Sequence, residues 1–159
     1  MSGDNGRWYF FGIAQRARGL EPVDSVSLYD EGWREAERHK WIESQKRGRD
    51  LGESAVHDWY QRFWTRYCRS KCLEHLEGSR IWKEFDLGDF GLIEALLVEG
   101  DLLLELILDR AHSGWENLDI ICWTRDWGLP MDRVIAILEQ LDLNRARLEP
   151  DGPPRFAHR

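Results

Sequence analysis

Between Leu51 and Glu77 the side chains Val56, Trp59, Tyr60, Phe63, Tyr67, Leu73 and Leu76 recur at spacings of three and four, with no Gly or Pro from Glu53 to Glu77. That period belongs to one face of an α-helix and not to a strand, whose faces alternate every second residue. A helix of this length needs partners to cover its apolar side, and the rest of the chain supplies more helices. Glu31 to Arg47 is rich in helix formers, with a thin stripe of Trp33, Ala36, Lys40 and Trp41. Asp50-Leu51-Gly52-Glu53 has the spacing of a capping box with Asp in the Ser/Thr place, and Gly78 stops the long helix.

After Gly78, Ser79 is placed to cap a short helical piece with Ile81, Trp82 and Phe85, and Asp86 to Gly88 reads as a turn. Four helices then follow in quick succession. Asp89 to Val98 ends before Gly100, with Asp89 as its cap. Asp101 caps Leu102 to His112, Asn117 caps a segment through Trp127, and Pro130 opens a last helix that runs to about Leu141. Leu143 to Leu148 reads as extended. No set of strands is present that would form a sheet, so the expected class is all-α: one long aromatic-faced helix packed on a compact bundle of shorter ones. The expected organisation is an irregular N-terminal arm (1–30), a helical domain (31–148) and a flexible tail (149–159). In the arm, the apolar run Trp8 to Ala14 is expected to dock on the core.

Charge divides the domain. Residues 1–86 carry 15 basic and 15 acidic side chains and residues 87–159 carry 7 and 14, so the whole net charge of −7 lies in the second half. Phosphate neutralisation supplies much of nucleic-acid affinity, which makes an acidic half a poor nucleic-acid surface. No run of eighteen apolar residues occurs, which excludes a membrane-spanning helix. Three cysteines, two of them one helical turn apart, fit a reducing cytosol better than a disulfide framework.

Three clusters carry candidate chemistry. Arg62, Arg66 and Arg69 fall at i, i+4 and i+7 on the long helix, a basic row suited to an acidic partner and expected to point away from the core. Cys68, Cys72 and His75 repeat the same spacing as three metal-ligand types, with Cys122 or His112 as the available fourth. Residues 118–138 resemble a helix-turn-helix unit, with Gly128 in the turn, the small Thr124 four places before it, and Val134 and Leu138 positioned to lock the second helix. Its exposed residues would be Asp132, Arg133, Glu139 and Gln140, with Arg145 and Arg147 as a following basic arm.

Weaker patterns carry less. Glu105, Asp109 and His112 share a face but amount to half of a two-metal carboxylate site. Asp89-Phe90-Gly91 repeats a kinase metal motif without the glycine-rich loop, lysine or catalytic loop that give it meaning. No catalytic motif is present, so an enzymatic activity has no support in the sequence, and no cofactor is expected. The expected function is a non-catalytic protein-interaction or adaptor module of the cytosol whose partner is another protein. A helix-turn-helix nucleic-acid regulator is the alternative, and a metal-binding helical protein comes third.

Overall fold

The computed structural model describes residues 25–97 and 100–150. Their structure is an all-helical bundle of α1 (Leu28–Arg47), α2 (Glu53–Leu76), α3 (Leu92–Leu97), α4 (Leu102–His112), α5 (Asn117–Asp126) and α6 (Met131–Leu141). Two 3₁₀ turns, Leu87–Asp89 and Leu143–Ala146, complete it. The Trp8 to Ala14 run lies outside the described residues.

The helix α2 packs against α1, α3 and the second 3₁₀ turn, while α4, α5 and α6 pack against one another. The burial of α2 is not confined to the expected stripe: Trp59, Leu73 and Leu76 are buried, but so are Trp64, Cys68, Arg69, Cys72 and His75, whereas Phe63 is only half-buried. Two flanks of α2 are covered, one by α1 and the other by the C-terminal elements, so no single face accounts for its core residues. On the α1 side, Gly32 makes the close approach possible. A Cβ there would lie 2.7 Å from Trp64 Cζ3. Trp64 also meets Tyr29, Trp59, Tyr60 and Tyr67 at ring-centroid distances of 5.4–6.2 Å, and its Nε1–H donates to the Leu148 carbonyl at 2.7 Å.

Several local expectations are corrected. The first helix begins at Leu28, within the expected arm, because Glu84 accepts from Ser27 Oγ at 2.7 Å and from the Leu28 amide at 2.9 Å. A side chain 56 residues away in sequence thus serves as its cap. The Ile81–Phe85 piece is not helical. Its backbone pairs with Val26, which accepts from the Lys83 amide and donates to the Ile81 carbonyl. Asp50 accepts from the Gly52 amide and forms a turn before the first residue of α2, and Asp86, not Asp89, caps the following 3₁₀ turn. Residue Glu116, not Asn117, precedes α5, its amide donating to Asp119. Leu143 to Ala146 winds into a 3₁₀ turn instead of extending. Asp101 caps α4 as expected, accepting from the Leu103 amide at 3.0 Å.

Between α5 and α6, Gly128 adopts φ +68° and donates to the Arg125 carbonyl, while the Leu129 amide donates to Thr124. These are the two hydrogen bonds of a Schellman ending. Nothing lies within 4 Å of a Cβ built at Gly128, so any cost of substitution there is conformational and not steric crowding. Gly128→Val should therefore destabilise by about 1–3 kcal/mol, and Gly128→Asn by less, because Asn tolerates the left-handed region. Thermal unfolding of the two variants checks the order. Arg133→Ala should leave folding intact, because Arg133 is exposed.

Candidate interaction site

The α4–α5 turn folds across one end of α2 and brings together residues that sequence spacing keeps apart. Arg69 shows the effect most directly. The helical period does place it on the same side as Arg62 and Arg66, but the turn covers that end of the row, leaving Arg69 only 4% exposed. The expectation that all three arginines point into solvent is corrected at this residue. The guanidinium donates from NH2 to the Trp115 carbonyl at 2.6 Å, and its NH1 lies 3.6 Å from Glu116 Oε2. Among the described residues Arg69 Nε and NH1 have no hydrogen-bond partner. Burial lowers the guanidinium's pKa below arginine's ordinary value, and the Glu116 carboxylate opposes the shift.

Arg62 and Arg66 remain exposed and differ in their attachments. Arg62 pairs with Asp58 at 3.1 Å, one turn back on α2, and lies 4.9 Å over the Phe63 ring. Arg66 makes no ion pair among the described residues. Its guanidinium rests against the α4–α5 turn, where a Cβ at Gly114 would be 3.0 Å from Nε. Arg66, Arg69, Ser70, His112, Gly114 and Glu116 line a cleft of about 280 Å³.

Beside the cleft, Trp115, Trp123 and Trp127 form a chain of indoles. Trp115 meets Trp123 edge-on at 6.1 Å, and Trp123 meets Trp127 at 6.2 Å. The Arg110 guanidinium lies 4.9 Å from the Trp115 ring centre and 4.5 Å from that of Trp123. Trp127 is 72% exposed, an unusual position for the largest side chain in the chain's repertoire. Sequence reasoning did not single out this array. The one signal was Trp123 and Trp127 at i, i+4; Trp115 joins them only through the fold of the turn.

The metal expectation fails on geometry. His75 is fully buried, with Nδ1 accepting from the Trp82 amide at 3.2 Å and Nε2 bonded to the Asp86 carbonyl at 2.8 Å, so neither nitrogen is available. Burial pushes the Cys68 thiol up to about 12 and that of Cys72 up to about 11, which favours neutral core thiols over thiolate ligands. His112 bonds to Glu77, and Cys122 sits half-buried on α5. Among the described residues no group of three His, Cys, Asp or Glu is arranged to hold a metal ion.

The proposed nucleic-acid arginines are drawn into the protein's own acidic half. Arg133 pairs with Asp101 at 2.5 Å, and Arg147 with Glu116 at 3.0 Å. Arg145 pairs with Asp89 and donates to the Leu141 and Asp142 carbonyls, both at 2.9 Å. On α6 the buried residues are Val134, Ile137, Leu138 and Leu141, leaving Asp132, Arg133, Glu139 and Gln140 exposed. No helix among the described residues is long and apolar enough to cross a membrane. No protein-family model matches the chain, and neither a curated protein nor a solved structure matches it, so the reading of the site rests on its own residues.

Proposed function

We propose that the protein is a non-catalytic interaction module of the cytosol that binds another protein through the indole array on α5 and its two flanking turns, together with Arg110 beside it. The observation that carries this reading is Trp127, exposed at 72% yet continuous with Trp123 and Trp115, with Arg110 set against the two inner rings. Trp and Arg dominate the energetically important positions of protein interfaces, because they bring large contact areas with directional polar groups. The three free thiols fit the cytosolic part of the proposal.

Trp127→Ala should abolish recovery of a specific co-purifying protein by the tagged full chain while leaving the melting temperature nearly unchanged. Recovery of the same proteins by wild type and variant would count against the array as the contact surface. The regulator reading has a specific observation in its favour, the Gly128 turn with Val134 and Leu138 buried behind it. It is weaker because Arg133, Arg145 and Arg147 are each neutralised by a carboxylate of this chain, leaving few cations for phosphate contacts. A gel-shift assay separates the two: tight, salt-dependent duplex binding that Arg133→Ala removes would favour the regulator.

A further inference from the structure

We infer that the partner of the indole array is a basic amphipathic helix, laid along the outer flanks of α4 and α5 with its apolar side inward; the inference rests on the reading of the array as the contact surface. Both helices contribute to the surface. On α4, Leu102, Leu106 and Arg110 fall at i, i+4 and i+8, a single stripe on the helix. The Arg110 guanidinium at one end of that stripe rests on the rings of Trp115 and Trp123, so the stripe borders the indoles of α5. At the other end Asp101, which caps α4, pairs with Arg133 in the first turn of α6, so Leu102 and the α5–α6 turn that carries Trp127 lie at the same end of these helices. The apolar side chains here are uncovered. Leu102 is 73% exposed, Leu106 44% and Trp127 72%, whereas Leu103, Leu104, Ile107 and Leu108 of α4 are buried. The helix α4 therefore carries apolar residues on two sides, and the bundle covers one of them.

Charge selects the occupant. On α4 the exposed Glu105 and Asp109 stand beside the leucine stripe, and neither has an ion pair among the described residues. On α5 the exposed Asp119 and Asp126 lie one turn before and one turn after Trp123, although Asp119 also accepts from the Glu116 amide. The cations of this region are already engaged: Arg110 with the two rings, Arg125 at 3.5 Å from Asp126, and Arg133 with Asp101. From Asp101 to Arg133 the chain holds seven acidic and three basic side chains, a net charge of −4. An apolar strip with carboxylates along both borders matches a helix that is apolar on one face and carries Lys or Arg on its flanks. Leu102 to Arg110 covers about 12 Å of helix axis, enough for apolar residues from two successive turns of such a partner. A second copy meeting this surface with its own would set acidic borders against acidic borders.

The test uses the full chain and three labelled synthetic peptides of roughly 18 residues, above the length at which an isolated helix is marginal. One is built of Leu and Lys with leucines at i, i+3, i+4 and i+7 spacing, one has the same composition in scrambled order, and one keeps the first pattern with Glu in place of Lys. Fluorescence anisotropy should show saturable one-to-one binding of the patterned Leu–Lys peptide that weakens with added salt, and binding about tenfold weaker or less for the other two. Leu102→Ser with Leu106→Ser, Glu105→Lys with Asp109→Lys, and Trp127→Ala all change exposed side chains. Each should keep the melting temperature and weaken the patterned peptide about tenfold or more. The proposal is overturned by no saturable binding at concentrations on the order of 100 μM. It is equally overturned by equal binding of the scrambled or the Leu–Glu peptide, or by undiminished affinity in any of the three variants. Sedimentation of the chain alone gives a further check, because self-association that Leu102→Ser with Leu106→Ser removes would assign the surface to a second copy and overturn the proposal. Its failure and that of the array reading are separable. Loss of the co-purifying protein in Trp127→Ala without any peptide binding keeps the array as the contact surface and rejects the basic helix, whereas recovery of the same proteins by Trp127→Ala and wild type removes both.

Discussion

Trp64→Ala should destabilise the protein by about 3–5 kcal/mol, the cost of emptying a large, enclosed aromatic site. The ring is 3% exposed, and it packs against Tyr29 of α1 and against Trp59, Tyr60 and Tyr67 of its own helix. Truncation also leaves the Leu148 carbonyl without the indole N–H that ties the C-terminal segment to α2. Phe63→Ala, one position earlier, should cost about half as much or less, because that ring is only half-buried and part of its surface faces water already. Denaturant unfolding of the two variants reads the difference. If Phe63→Ala proved the more damaging, the helix would be rotated from the orientation described. Gly32 offers an independent check, because a methyl group there would collide with Trp64. Gly32→Ala should cost about 1–3 kcal/mol in wild type as overpacking. It should cost much less once Trp64 is Ala, so the two substitutions would not be additive.

His75→Leu should cost about 2–4 kcal/mol, from two buried backbone groups left unpaired. The imidazole has a fixed tautomer: Nε2–H donates to the Asp86 carbonyl, and bare Nδ1 accepts from the Trp82 amide. Phe85 and Phe90 enclose it, each at a ring-centroid distance of 5.6 Å. Protonation would put a second N–H where Trp82 already donates. Burial, the largest cause, accordingly holds the pKa of His75 below its ordinary 6.5, although the Asp86 carbonyl and the Asp89 charge pull the other way. A depressed histidine pKa means that the unfolded chain takes up the proton first as pH falls. The neutral ring's contribution to stability is therefore complete above about pH 6.5 and is lost progressively as pH falls from there toward the folded-state pKa, at no more than about 1.4 kcal/mol per pH unit. Unfolding free energies measured between about pH 7 and pH 5 should show this slope, and the slope should be missing in any His75 variant that folds. Equal slopes in the two proteins would mean that His75 titrates alike in both states.

Helical class, the order of the long helix and the shorter ones, and the main stops were legible in the chain because their causes are local. A run free of Gly and Pro with residues at three and four spacing can form little else, and Gly48, Gly78 and Gly128 each sit just past a helix with positive φ. The Asp101 cap was legible for the same reason: its partner, the Leu103 amide, is two residues away.

What the tertiary structure decided concerns groups whose partners lie far off in sequence. Glu84 caps α1 across 56 residues, and Val26 pairs with the segment around Trp82, so the start of α1 and the shape of that segment depend on each other and not on their own propensities. Sequence period put Arg69 in a row with Arg62 and Arg66, and put Cys68, Cys72 and His75 on one face. Spacing fixes direction from a helix axis, but it carries no information on what covers that direction. The α4–α5 turn covers Arg69, and the packing around Asp86 and Trp82 consumes both nitrogens of His75. The apparent metal face is thereby part of the core, and the apparent solvent row ends in a buried cation. Arg133, Arg145 and Arg147 met their carboxylates only because the bundle folds the acidic segments back on themselves, a long-range neutralisation that no local pattern encodes.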